Sequence, residues 1–251
     1  MLNIVIPMAG AGNRFVSSGY THPKPLIPIK GVPMIKVVID NLRPHEKHRF
    51  IFICQKTHIE NYQLKEKLAM WAPNCEIIGL DEITEGAACT VLTAKEIINN
   101  NIPLMIANSD QYIDANINTY LAEMHYRNLD GLIMTMTAND PKWSYVELDE
   151  KKNVNSVVEK KVISNEATVG IYNFKKGSDF ICAAEKMIAQ NLRVNSEFYV
   201  APVYNQLIEN KKCIGIFNIG EEANGMYGLG IPADLELFLT LPIHRKATRS
   251  L

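Results

Sequence analysis

The residues near the start of the chain that could do chemistry are two glycines and two cations. Gly10, Ala11 and Gly12 follow directly on the apolar run Ile4-Val5-Ile6-Pro7-Met8-Ala9. A strand is therefore expected to end in a loop whose main-chain N–H groups can approach an anion without side chains in the way. Arg14 comes next, and Lys24 follows between Pro23 and Pro25, which restrict the backbone that carries it. Phosphate is the anion that suits such a loop, and two fixed cations suit a triphosphate.

Spacing excludes two common phosphate loops. A dinucleotide-binding turn needs G-x-G-x-x-G opening a helix, and here Phe15 stands where the third glycine belongs. A P-loop needs G-x-x-x-x-G-K-[ST], a string that occurs nowhere in the chain.

The elements that must position these residues follow a β–α rhythm. Pro33 sits in the first turn of an expected helix in which Met34, Ile35, Val38, Ile39 and Leu42 recur at helical spacing until Pro44. Phe50 to Cys54 is an apolar strand, and Thr57-His58-Ile59-Glu60 has the capping-box pattern of a helix reaching about Trp71. Glu76 to Leu80 is a strand, Ala87 to Ile98 a helix, and Pro103 to Ala107 a fully apolar strand closed by Asn108-Ser109-Asp110. A helix at about Asn118 to Arg127 and a strand from Gly131 to Ala138 continue the series. Tyr145 to Glu159 departs from it as a hairpin around a charged turn. Thr168 to Phe174 is a strand, Ser178 to Gln190 and Glu197 to Glu209 are helices, Cys213 to Ile219 is a last strand and Pro232 to Leu239 a last helix. This alternation predicts a mainly parallel central sheet with a small β-hairpin insertion. No linker-like segment or repeat interrupts it, so residues 1–251 are expected to form a single domain.

Composition narrows the partners. Twenty-six Lys and Arg against 27 Asp and Glu leave a formal charge of −1, with no basic run to track a nucleic-acid backbone. The apolar N-terminal run is broken by Pro7 and Gly10 before it could serve as a signal peptide or membrane span, so no membrane partner and a cytoplasmic location are expected. The five cysteines are widely spaced, without a C-x-x-C pair, and are expected to be reduced and mostly buried. None of the six histidines has a partner acid or nucleophile at a recognisable spacing.

In open parallel sheets ligands gather at the carboxyl ends of strands, which draws attention to Asp110. Its carboxylate could ligate a hard cation or could cap a turn before Tyr112. Gly86, Ala87 and Ala88, after a strand, could let a flat base lie against the backbone or could simply begin a helix. Glu159 and Lys160 could bind a ligand or form an exposed strand end.

The composite G-x-G-x-R-[FL] followed by P-K-x-L-x-P-[IV]-x-G-x-P-[ML], ending here at Gly31-Val32-Pro33-Met34, resembles the signature of the sugar-phosphate nucleotidyltransferases. The resemblance covers nearly the whole chain and is strongest over residues 4 to 35. It implies a Rossmann-like three-layer α/β/α fold, with the hairpin on the acceptor side, and transfer of a nucleoside monophosphate to a phosphorylated small-molecule acceptor with release of pyrophosphate. Residues 1 to about 110 would form the nucleotide-binding part, and about 111 to 251 the acceptor-binding part. Carried over position by position, it implies Arg14 and Lys24 as catalytic cations, with Arg14 on the β/γ-phosphates and Lys24 on the α-phosphate. Met8, Ala9, Gly10, Ala11, Gly12, Glu85, Gly86 and Ala87 would bind the nucleotide, Glu159, Lys160, Gly170 and Glu197 the acceptor, and Asp110 a Mg²⁺ ion. Two departures are visible. Lys161 replaces the proline of an E-K-P motif, and Gly228 stands where the family commonly has a second metal-binding aspartate, for which Asp234, Glu221 or Glu222 would have to substitute.

Pro-Met-Ala-Gly-Ala-Gly with Gly-Tyr-Thr-His-Pro-Lys-Pro-Leu is similar to the nucleotidyltransferases of bacterial capsule gene clusters. That similarity implies CTP as donor and an amino-acid phosphate, L-glutamine phosphate, as acceptor. A sugar 1-phosphate acceptor and a non-catalytic nucleotide-binding regulator, each compatible with a homo-oligomer, stay open beside it.

Overall fold

The computed structural model describes residues 1–249, so the last two positions of the expected 1–251 domain lie outside the described residues. The chain runs through β1 (Leu2–Pro7), α1 (Asn13–Ser17), the two-residue strands β2 (Pro28–Ile29) and β3 (Val32–Pro33), α2 (Met34–Leu42) and β4 (His48–Gln55). Then come α3 (Lys56–Asn61), α4 (Leu64–Trp71), β5 (Glu76–Leu80), α5 (Ala87–Leu92), α6 (Lys95–Ile98), β6 (Leu104–Ala107), β7 (Gln111–Ile113) and α7 (Ile117–Tyr126). The second half holds β8 (Gly131–Thr137), β9 (Ser144–Leu148), β10 (Val154–Glu159), β11 (Glu166–Phe174), α8 (Gly177–Ala189) and α9 (Val203–Glu209). It closes with β12 (Ile214–Glu222), β13 (Gly225–Gly228), α10 (Pro232–Thr240) and α11 (Ile243–Ala247).

The sheet is ordered β5-β4-β1-β6-β11-β8-β12-β13-β7, with β9 and β10 attached to β11. β5, β4, β1 and β6 pair parallel, as do β8 and β12. β11 is antiparallel to both β6 and β8, so in the seven-strand centre it alone runs against the rest. This is the mainly parallel sheet that the β–α alternation implies, and β9–β10 is the expected antiparallel hairpin. The short strands β7 and β13 pair antiparallel through Gln111↔Gly228. Their few residues offer too little alternation to be read from sequence.

Alternation along the parallel strands builds the outer layers. Ile4, Ile6, Phe50 and Phe52 face one buried cluster together with Ile35, Val38 and Leu42 of α2. Val5, Ile51 and Ile53 face the other, with Val91 of α5 and Phe180 and Ala184 of α8. Side chains of period two thus serve two helical layers at once. A third cluster, Phe15, Ile27, Tyr112, Leu229, Leu235 and Phe238, joins α1 to α10 beneath the loop that carries Lys24.

Three local expectations change. The Thr57 helix starts at Lys56 behind Gln55, no side-chain cap is made, and Gln63 in the left-handed region (φ 51°) divides it into α3 and α4. The helix from Ala87 breaks after Leu92, so Lys95–Ile98 forms a separate turn. The helix expected from Glu197 begins at Val203, because Glu197 instead bridges back to Val194. Of the five unbridged cysteines only Cys54 is buried, its thiol pushed up to about 12 by burial and by Cys75, while Cys182 is exposed. Among the described residues no helix is long and apolar enough to cross a membrane.

Phe52 lies at the centre of the first cluster with no exposed surface. Phe52→Ala is expected to lower the unfolding free energy by about 3–5 kcal/mol, read from denaturant midpoints at unchanged m-value.

Candidate active site

At the carboxyl end of β1 the chain enters the glycine loop with Met8 N–H bound to Ile53 O at 2.9 Å. Gln55, at the end of the neighbouring strand, donates its Nε2 to Ala9 O (2.9 Å) and Gly10 O (3.1 Å). The loop is thus tied to the sheet through its carbonyls, which leaves its N–H groups for a ligand. Met8 itself is buried in the core, whereas Gly10 and Ala11 are exposed.

Three adjoining cavities open along this edge. The first, about 370 Å³, is lined by Ala9, Gly10, Ala11, Thr84, Gly86, Ala87 and Thr90. A second, about 310 Å³, is lined by Ser144, Glu159, Lys160, Thr168, Gly170 and Tyr199, and it also touches Ala87 and Arg14. The third, about 320 Å³, is lined by Arg14, Lys24, Asp110, Gln111, Gly228, Gly230 and Asp234. Asn108, Lys142, Trp143 and Lys160 line both the second and the third. Each volume suits a small molecule or part of one, and their continuity suits two substrates meeting.

Lys24 and Asp110 come together in the third cavity as a direct ion pair. Lys24 leads a single 3₁₀ turn, Lys24–Leu26, with Pro25 at its start, and its Cβ lies 3.3 Å from where a side chain at Gly12 would begin. Asp110 follows β6, and its Oδ2 would be 2.5 Å from a Cβ at Gly230, which only glycine leaves open. Gly228 makes the same room for Asp234, whose Oδ2 would be 2.9 Å from its Cβ. The missing carboxylate at 228 is therefore matched by a carboxylate packed into the space that the glycine leaves. Burial pushes the Asp234 carboxyl up, Lys142 pulls it down, Glu222 and Asp110 push it up again, and Arg14 pulls it down.

In the second cavity Glu159 is 8% exposed and accepts a hydrogen bond from Ser144 Oγ. Burial pushes its carboxyl up, with Ser144 and Lys160 opposing and Glu197 adding. Lys160 donates to Tyr199 OH at 2.5 Å and lies 4.7 Å from that ring's centre. Lys142 is held by Glu222 at 2.8 Å and lies over Trp143 at 4.9 Å.

Several expected residues have different surroundings from those read in the sequence. Glu85 does not line the first cavity; its carboxylate pairs with Arg193 at 3.4 Å, and its carbonyl accepts from Phe198 N–H at 2.8 Å. Gly86 (φ +127°) is glycine because a Cβ would come 2.5 Å from Phe198 O, so chain crossing demands the small residue irrespective of any base. Glu197 lines the first cavity with the glycine loop and not the second. Arg14, Lys24, Asp110, Glu159, Lys160 and Gly170 do gather around the second and third cavities. Sequence reasoning missed Asn108, Gln111, Lys142, Trp143 and Ser144, whose only signal was their position at strand ends.

The family model described as nucleotidyl transferase matches residues 4–201. Curated relatives include the bifunctional protein GlmU of Methanococcus maripaludis, 28% identical over 220 residues, covering 86% of this chain and 49% of that protein. The chain thus spans about half the length of the curated relatives it matches. Among solved structures, the nucleoside-diphosphate-sugar pyrophosphorylase of Vibrio cholerae superposes with a TM-score of 0.81 at 23% identity, covering 95% of this chain and 100% of that one. The inositol-1-phosphate CTP transferase of T. maritima superposes with a TM-score of 0.76 at 14% identity, covering 99% and 97%. At these identities the two structures share the fold alone.

The raised carboxyl of Glu159 has a consequence for stability. A group that holds its proton more tightly folded than unfolded stabilises the fold at low pH, and that contribution is lost as pH rises through the folded value. Glu159→Gln is therefore expected to raise the melting temperature at pH 7 to 8, with the gain shrinking as pH falls toward the ordinary glutamate range. Melting curves across pH 4 to 8 check the sign; a variant less stable than wild type at pH 8 contradicts it.

Proposed function

This chain belongs to the nucleotidyl transferase family, and we propose that it moves a nucleoside monophosphate from a nucleoside triphosphate onto a phosphorylated small-molecule acceptor, releasing pyrophosphate. The observation that carries this reading is the meeting of Lys24 with Asp110 beside Arg14, in a cavity that adjoins the Glu159 cavity, which in turn meets the glycine-loop cavity at Ala87. In the proposal residues 1 to about 110 bind the nucleotide and the rest bind the acceptor, with Glu197 reaching back across that division.

Charge accounts for the chemistry. A phosphate monoester is largely dianionic at neutral pH, so its oxygen can attack without a general base, in accord with a site that has no histidine. The new P–O bond forms at the α-phosphorus in line with the bond that breaks, and the electron pair leaves with pyrophosphate. Arg14 neutralises the β/γ-phosphates, and Lys24 the α-phosphoryl group as charge builds there. Lys160 and Lys142 hold the acceptor's phosphate at the junction of the two cavities.

The donor set fits Mg²⁺, which takes one or two protein carboxylates and completes its shell with phosphate oxygens and water. Asp110 and Asp234 would hold it. Among the described residues no three Asp, Glu, His or Cys side chains converge, so such an ion would depend on the substrate's phosphates. When bound, it supplies further neutralisation of the triphosphate. Lys24 and Asp110, 24% and 23% exposed, form a partly solvated pair worth about 0–1 kcal/mol, so exchanging it for phosphate and metal contacts is inexpensive.

The finer reading is CMP transfer from CTP to L-glutamine phosphate in capsule-precursor synthesis. It is supported by the motif style of the first 35 residues and by a cavity in which the carboxylate of Glu159 can meet an amino group while Lys160 and Lys142 meet a phosphate. A sugar 1-phosphate is the second reading, supported by Asn108, Ser144 and Thr168 as hydrogen-bonding partners for hydroxyls. A non-catalytic regulator has less support, because nucleotide affinity alone does not require cations for both the α- and the β/γ-phosphates.

Lys24→Ala is expected to slow single turnover about 100- to 1000-fold at saturating nucleotide, with little change in nucleotide affinity. An unchanged rate removes Lys24 from the mechanism. For the acceptor, pyrophosphate release is measured across four nucleoside triphosphates and a panel of phosphorylated acceptors. CTP with L-glutamine phosphate is expected to outpace every hexose 1-phosphate pairing; a higher kcat/KM with a hexose 1-phosphate overturns the amino-acid acceptor and leaves nucleotidyl transfer standing.

A further inference from the structure

Gln111 is the polar side chain whose surroundings the proposed reaction leaves unexplained. It is 4% exposed, its Nε2 has no hydrogen-bond partner among the described residues, and it lines the cavity of Lys24 and Asp110. Buried amide donors are nearly always paired, so an unpaired one on a side chain in the wall of a cationic cavity suits a donor kept for an oxygen that arrives with a ligand.

The neighbourhood shows how this amide is held. Gly170 sits on the reversed strand β11 with φ +79°, and its backbone O accepts from Asn108 N–H at 3.0 Å. A Cβ at Gly170 would collide with the Asn108 carboxamide and come within 2.9 Å of Gln111 Oε1. The bare glycine is therefore the floor on which two carboxamides converge. Gln111 Oε1 lies over that floor. Asn108 lines both the Glu159 cavity and the Lys24 cavity, so the pair lies where the two join.

We infer that the Gln111 amide, seated with Asn108 over Gly170, donates to the acceptor's phosphate and orients its attacking oxygen. The inference rests on the nucleotidyl-transfer reading for the identity of that phosphate. A phosphate fits the chemistry because the amide N–H offers only a donor, and because Arg14, Lys142 and Lys160 supply positive charge around the same junction. The acceptor's phosphate fits better than the triphosphate, since Asn108 and Gly170, against which the amide is seated, both line the Glu159 cavity. A neutral donor fixes direction without adding another cation, which would withdraw charge from the oxygen that must attack. Gln111 is thus a positioning residue that contacts substrate.

Gln111→Met keeps the side chain's length and removes the unpaired donor, and Gln111→Glu keeps its shape while opposing a phosphate with charge. Each protein is saturated with an α,β-methylene nucleoside triphosphate and Mg²⁺, then titrated with inorganic phosphate as the probe, with melting curves in parallel. The expected result for Gln111→Met is an unchanged or higher melting temperature, triphosphate-analogue affinity within about twofold, and phosphate affinity about 10-fold weaker. Gln111→Glu should lose phosphate binding further. Unchanged phosphate affinity in both variants overturns the assignment, as does a lower melting temperature with equal loss of both ligands, which marks a packing role. Failure of the wild-type protein to bind any triphosphate analogue refutes the nucleotidyl-transfer reading instead, and the phosphate titration still decides Gln111.

Discussion

Everything in the site depends on bringing the ammonium of Lys24 against the carboxylate of Asp110, two groups 86 positions apart in the chain. Neither is placed by its own flexibility. Lys24 is carried by a proline-flanked 3₁₀ turn whose lysine Cβ rests against Gly12, and Asp110 is carried by the end of β6. A third segment must give way for them to meet, and Gly230 does so by having no side chain where Asp110 Oδ2 lies. A partly exposed pair contributes little to stability, so its significance is positional. It fixes one cation and one anion at a spot where a metal–phosphate unit would present the complementary charges.

The second half of the sheet builds a further cavity beside this centre. Reversing β11 between β6 and β8 brings Gly170 beside Asn108, and the β9–β10 hairpin delivers Ser144 and Glu159 to the same edge. The resulting junction has cations from four segments, Arg14, Lys24, Lys142 and Lys160, opposed by Asp110, Asp234 and Glu159. Arg14, Lys142 and Lys160 line both the second and the third cavity, and the buried acid Glu159 lines the second. Such an arrangement suits the proposed meeting of two phosphates, with Glu159 left to meet another part of the acceptor.

The parts of this arrangement legible in the sequence are those that local constraints dictate. An apolar run ending in glycines, a lysine between prolines and an aspartate closing an apolar strand each restrict the backbone enough to announce a strand-end site, as Gly10, Lys24 and Asp110 do. What escaped reading depends on chain crossings. Glu85 looked like a nucleotide ligand, but Arg193 draws it aside, and Gly86 is small because Phe198 crosses it. Glu197 looked like the start of a helix on the acceptor side, yet its bridge to Val194 turns it toward the loop. The Gly228 and Asp234 exchange was visible only as an absence with several substitutes, since the space one residue leaves for another is a tertiary fact. Gln111 gave no signal beyond its position near a strand end, because an amide without a partner is defined by what surrounds it.

The central claim is that the α-phosphoryl group with its nucleoside, and not the γ-phosphoryl group, passes to the acceptor. Parallel reactions with α-³²P- and γ-³²P-labelled triphosphate measure this directly. The account predicts that α-label appears in the acceptor product and γ-label in pyrophosphate in equal amounts, and only when a phosphorylated acceptor is present. Transfer of γ-label to the acceptor, or release of γ-label as inorganic phosphate without any acceptor, would contradict it.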